Sequence, residues 1–151
     1  MVYVDTSVIV KLYFKEEYSR NTSNWLKEND EAIPLTSLHE MELINAIHLK
    51  QFRAELTLDE TRLIMSRFEE HEKCGVYYRP QLDWSAVFIH AIDLSKKHTS
   101  NIGSRSLDIL HVASALSINA DRFLTLDDRQ TGLAALAELK IENIKIATLN
   151  I

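Results

Sequence analysis

Acidic residues at four places in the chain have the type and position that chemistry needs. Asp5 follows Val2-Tyr-Val, a β-rich run, and so stands at the end of a first strand. Asp127 and Asp128 follow Phe123-Leu-Thr-Leu in the same way. Sites in open parallel sheets form at the carboxyl ends of strands. An Asp there also serves as a helix cap or turn residue, but two strand ends that each deliver a carboxylate weigh against capping as the whole account. Asp108 lies near the start of Leu107-Asp-Ile-Leu-His-Val-Ala-Ser-Ala-Leu, a helix apolar or small on nearly every side and therefore buried. Two accounts fit it: a first-turn anion favoured by the helix dipole, or a metal-binding carboxylate whose charge a cation offsets. A helix from Ser37 carries Glu40 and Glu42. At about 100° per residue, Glu42 shares its face with Leu38, Ala46 and Leu49, and Glu40 with Ile44 and Ile47. Periodicity does not choose between them.

Other chemistries find less support. His39, His48, His90 and His111 form no His-x-x-x-His or His-Glu-x-x-His pair and have no cysteine cluster beside them, so zinc is not indicated. Packing or solvation accounts for all four, although His39 and His111 lie in the acid-bearing segments. Cys74 is the only cysteine. It excludes an internal disulfide, fits a reducing compartment, and reads as a structural or surface thiol, not a nucleophile. Arg105 and Arg129 adjoin the acids and either steer a strand's phosphates or pair with the carboxylates. The formal net charge is −5. That is unlike a generally basic nucleic-acid binder, but an enzyme that turns over a strand needs only a local basic rim.

The elements that must position these residues alternate. Strands are expected at Val2–Val4, around Ala32–Thr36, at Val76–Arg79, at Phe123–Leu126 and at Ile144–Ala147. Helices are expected from Thr6 or Ser7 to Phe14, Ser19 to Glu28, Ser37 to Ala54, Thr57 to Glu72 with Glu60 as capping-box partner, Asp83 to Lys97, Ser104 or Ser106 to Ile118, and Gln130 to Leu139. Strands separated by helices imply parallel pairing in an α/β layer fold. The 151 residues suit one domain spanning 1–151, with no linker or repeat. The start, Met-Val-Tyr-Val-Asp, is too short and acidic for a signal peptide, and no apolar run approaches the roughly 20 residues of a membrane span. A soluble cytoplasmic protein, with no membrane partner, is expected.

Taken together, the acid-bearing segments resemble PIN-domain nucleases of the VapC toxin type. Val4-Asp-Thr-Ser-Val-Ile-Val-Lys-Leu-Tyr resembles that family's opening strand and helix, with Asp5 as first acid. Ser37-Leu-His-Glu-Met-Glu-Leu-Ile-Asn-Ala resembles its second block, where the acid precedes Leu and a downstream Asn-Ala, which selects Glu42. Ser106-Leu-Asp-Ile-Leu-His-Val-Ala-Ser-Ala-Leu resembles the third and gives Asp108. Ala120-Asp-Arg-Phe-Leu-Thr-Leu-Asp-Asp-Arg-Gln resembles the fourth, whose Thr-x-Asp gives Asp127 and leaves Asp128 as a further ligand candidate. Each block alone is a weak motif; four in order are a strong one. The resemblance implies a three-layer fold, a central mostly parallel sheet flanked by helices. It implies an endoribonuclease that uses Mg²⁺ or Mn²⁺ and metal-activated water, with Thr6, Ser7 and Thr125 supporting the ligands. It also implies a cognate antitoxin and homodimerisation. A haloacid-dehalogenase phosphotransferase would need Asp-x-Asp where this chain has Asp5-Thr6-Ser7, and a response-regulator receiver would need an acidic pair there. A PIN fold that binds without turnover is the remaining alternative, and the presence of all four acids argues against it.

Overall fold

The structure is a computed structural model and describes residues 1–144. Its contacts fall into two compact units. One comprises Met1–Ser7 and Pro80–Asn143; the other comprises Val8–Arg79 with Ile144.

The first unit is built on three parallel strands in the order β1 (Val2–Val4), β4 (Arg122–Leu124), β5 (Lys140–Glu142). Val2, Tyr3 and Val4 are all buried, as expected of a parallel strand covered on both faces. Tyr3 pairs with Phe123 in register, and their rings stack with centroids 5.5 Å apart. Helix α5 (Trp84–Ile102) begins at Asp83, whose carboxylate accepts from the Ser85 and Ala86 amides. It ends at Gly103, whose φ of 71° suits a left-handed C-cap. Helix α6 (Ser106–Ser117) buries Ile109, His111, Val112, Ala113, Ser114 and Ala115 and packs along α5. Helix α7 (Asp128–Leu136) is the crossover between β4 and β5. Ala91, Leu94, Val112, Phe123 and Leu133 belong to the shared core.

The second unit holds a parallel pair, β2 (Ile33–Pro34) beside β3 (Tyr77–Tyr78). It also holds α2 (Ser19–Glu28), α3 (Ser37–Phe52) and α4 (Leu58–Lys73). The chain enters it through α1 (Thr6–Ile9), followed by a 3-10 turn over Val10–Leu12. Helix α4 has the Thr57–Glu60 capping box. Helix α3 is capped by Thr36, with His39 in place of the usual acid in the box. Tyr13 sits in a buried polar cluster, its hydroxyl 2.8 Å from that of Tyr77 and 2.9 Å from His71 Nδ1. Burial raises both phenols, Tyr77 to about 12, and burial also lowers the pKa of His71, as does the Arg67 charge.

Several boundaries differ from expectation. The first helix shortens to one turn before tightening to 3-10 geometry. Helix α5 runs five residues past Lys97, because Gly103 is the stop signal. Helix α7 starts at Asp128, not Gln130, because Asp127 supplies its cap. The strand β5 was not expected. Of the strand expected over 144–147, Ile144 lies in a bend and the remainder falls outside the described residues. Among the described residues, no helix is long and apolar enough to cross a membrane.

The depressed His71 carries a prediction. A histidine whose pKa is lowered on folding from its ordinary value of about 6.5 leaves the unfolded state binding more protons as the pH falls through that range. Stability should therefore fall with acidification from pH 7 to pH 5. In urea denaturation across that range, His71→Gln should give a shallower fall, by at most one proton's worth. An unchanged slope would refute the assignment.

Candidate active site

Three of the acids meet in the first unit because two strands end and two helices begin there. The β1–β4 ladder continues one residue past its strands, the Asp5 amide donating to the Leu124 carbonyl at 2.8 Å. The strands thus release Asp5 and Thr125 at the same edge. Helix α6 starts there with Asp108 in its first turn, and α7 starts with Asp127 as N-cap.

Asp5 is buried and held from several directions. Its Oδ2 accepts from the Ser7 amide (3.1 Å) and faces the Thr125 hydroxyl (3.3 Å). Its Oδ1 lies 3.3 Å from Gln130 Nε2 and 3.4 Å from His111 Nε2. His111 is itself oriented by Tyr3, whose hydroxyl is 2.9 Å from Nδ1, and lies 3.3 Å from the Thr6 hydroxyl. These distances are satisfied when Tyr3 donates to Nδ1 and Nε2–H points at Asp5. Gln130 is 1% exposed. Its Oε1 accepts from Thr125 at 2.5 Å, and its Nε2 also approaches the Asp108 carbonyl at 3.5 Å. The amide of Asp127 donates to Thr125.

Asp127 divides its carboxylate. Oδ1 accepts from the Arg129 and Gln130 amides at 2.9 and 3.0 Å, while Oδ2 is 3.3 Å from Arg105. Arg105 also grips Asp108, with Nε at 2.8 Å from Oδ2 and Nη2 at 3.4 Å from Oδ1. Its hydrogen bond to Asp108, then the charges of Asp108, Asp127 and Asp5, hold the guanidinium's pKa above its ordinary value. Of the two readings of Arg105, pairing with the carboxylates is the one the structure adopts. Arg129 is exposed and donates to the Gly103 carbonyl at 3.4 Å. Asp128 is exposed in the first turn of α7.

Glu40, Glu42 and Glu72 belong to the second unit. Glu40 forms a fork with Arg79, at 2.7 and 3.2 Å, and Arg79 also grips Glu72, whose carboxyl it holds below the usual range. Glu40 is thereby committed to joining α3 to the end of β3. Glu42 is half-buried on α3 and takes no part in that fork. His39 is fully buried as a cap. Of the two histidines in acid-bearing segments, His111 reaches Asp5 and His39 serves its own helix. Gln130 and Tyr3 are the residues that sequence reasoning passed over. A Gln three residues into an Asp-capped helix looks like a capping-box residue, and a strand tyrosine looks like core.

The donor set suits a hard divalent cation, being carboxylates with hydroxyls beside them and no sulfur. Among the described residues, no three His, Cys, Asp or Glu side chains are spaced to hold a metal ion as the chain stands. A guanidinium supplies the balancing charge instead.

The sheet topology and this cluster of acids define a class, and the family profile agrees with them. The PIN domain profile matches residues 2–137, and the chain belongs to the PIN domain family. Members of that family are typically nucleases and typically bind a divalent metal. In fold, the chain is similar to a chain of the crystal structure of FitAcB from Neisseria gonorrhoeae, with a TM-score of 0.70 and 19% identity, over 95% of this chain and 98% of that one. No curated protein matches it.

Arg105 is bonded to two of the acids, so a metal that used them would compete with it. Arg105→Gln should bind Mn²⁺ about fivefold more tightly by calorimetric titration, the factor that roughly 1 kcal/mol of exposed ion pairing is worth. In a chelator it should melt below the wild type, because Asp108 and Asp127 then lack their cation. Unchanged affinity would show that Arg105 does not compete.

Proposed function

We propose that the chain is a metal-dependent endoribonuclease, the toxin of a toxin–antitoxin pair, working as one domain. One observation carries the reading: Asp5, Asp108 and Asp127 meet from the ends of β1 and β4 and the start of α6, with Arg105 bonded to Asp108 and Asp127 and Gln130 bonded to Asp5. Families of metal nucleases need that convergence, and a structural salt bridge does not need three acids.

In this reading Asp5 and Asp108 hold Mg²⁺ or Mn²⁺ directly. Glu42 and Asp127 hold it directly or through water, and Asp128 is a further candidate. The bound ion supplies a water of lowered pKa and charge to offset the transition state. The protein's part is positional. His111, Gln130, Thr125 and the Ser7 amide fix both oxygens of Asp5. Thr6 steadies His111. Such supporting contacts typically change affinity or activity by about 10- to 100-fold. Arg105 and Arg129, which adjoin the acids, would contact RNA phosphates. Water is the nucleophile at phosphorus, so products carry 5′-phosphate and 3′-hydroxyl ends. The partner is an antitoxin that presents an arginine to the same acids, where a planar fork fits carboxylates. Two copies of the chain associate.

A binding module without turnover is the second reading, and the observation favouring it is that Arg105 already pairs with Asp108 and Asp127. It expects no cleavage of any RNA with Mn²⁺ alongside intact partner binding.

Asp5→Asn should lower Mn²⁺-dependent RNA cleavage by about 100-fold or more, since losing a ligand should cost at least as much as losing one of its supporting residues. Sequencing the cleaved ends in cells after induction of either form is the check. Equal cleavage by both, or 2′,3′-cyclic phosphate ends, would overturn the mechanism.

A further inference from the structure

The second unit contains an open cleft of about 780 Å³ whose rim is strongly basic. Lys11, Lys15, Arg20, Lys27 and Arg67 line it, and Glu16 is the only acid among the described residues that does. Glu16 is already paired with Lys11 at 2.8 Å and with Lys50 at 2.7 Å. Those two ammonium groups hold its carboxyl below the ordinary range. Lys15, Arg20, Lys27 and Arg67 are exposed and form no ion pair among the described residues. Four uncommitted cations thus face one concavity, in a chain whose formal charge is −5.

Their arrangement is ordered along α2. Arg20, Ser23, Asn24 and Lys27 all line the cleft. They stand at i, i+3, i+4 and i+7, which is one face of a helix. The charged ends of that face are seven residues apart, about 10 Å along the axis. Hydroxyl and amide donors lie between them. An isolated small anion would use one end of such a stripe. A strand with repeating phosphates can use both, with Ser23 and Asn24 reaching sugar or phosphate oxygens between.

We propose that this cleft binds the phosphate backbone of single-stranded RNA, an inference that rests on the nuclease reading above. It supplies the local basic surface that the overall acidity of the chain withholds. Binding there is electrostatic and insensitive to base sequence, since phosphate contacts position a strand without reading it.

The test uses the full chain carrying Asp5→Asn, in chelator, so that no RNA is cut. Fluorescence anisotropy follows a labelled oligouridylate of roughly 12 nucleotides, within the range of single-strand sites. Salt is varied from about 50 to 200 mM. Adding Arg20→Gln and Lys27→Gln together should weaken binding about tenfold at low salt. It should also flatten the log–log salt slope by about 1.4, at roughly 0.7 per lost single-strand phosphate contact. Arg67→Gln alone should flatten it by about 0.7. Lys96→Gln with Lys97→Gln removes the same charge from α5 and should leave the slope unchanged. An unaltered slope in the Arg20/Lys27 variant overturns the proposal, as does an equal loss from the Lys96/Lys97 variant. Cleft-dependent binding of a polyglutamate peptide without RNA binding overturns it in favour of an acidic protein partner. The two readings fail separately. Mn²⁺-dependent cleavage by the wild type with no cleft effect removes only the cleft, and cleft-dependent RNA binding without cleavage removes only the nuclease.

Discussion

Like charges brought together in a partly buried place must be reconciled, and that constraint organises the first unit. Asp5, Asp108 and Asp127 come from different elements, so the fold itself forces them together; no local sequence does. Folding can tolerate this only if donors and cations are delivered to the same spot. The chain does so in two ways. Uncharged donors surround Asp5, and a single guanidinium spans Asp108 and Asp127. The uncharged donors are buried and fixed, whereas Arg105 reaches in from solvent with its side chain 65% exposed. The permanent part of the solution is built into the core, and the exchangeable part is left at the surface.

The buried part extends further than the acids. Tyr3 lies in the middle of β1, stacked on Phe123, and its hydroxyl orients His111, which faces Asp5. The strand pairing that makes the core therefore also sets the direction of a carboxylate two residues later. Gln130 does the same from α7, tying Thr125 at the end of β4 to Asp5 at the end of β1. Core and site share side chains, so a core substitution near Tyr3 or Gln130 is also a substitution at the site.

What the sequence revealed follows physical range. Strand-end acids, the buried character of α6 and the Thr57–Glu60 box depend on neighbours within a few residues, and pattern reads such neighbours well. The parallel α/β class followed from alternation of elements. Glu40 and Glu42 were indistinguishable by period because both flanks of α3 are apolar. The distinguishing fact, the Arg79 fork, joins residues 39 apart. Gln130 and Tyr3 escaped for the same reason, since their partners at Asp5 and His111 lie more than a hundred residues away in sequence. The strand β5 escaped because its burial is slight, so no continuous apolar run marks it.

Asp127 has one oxygen in the service of a helix and the other in the service of the acids. An asparagine in its place keeps the capping oxygen and discards the charge. A lineage could thus retire the chemistry at this position in one step and inherit an intact scaffold, free to be put to other uses. At Asp5 no such bargain exists, because both of its oxygens are already claimed.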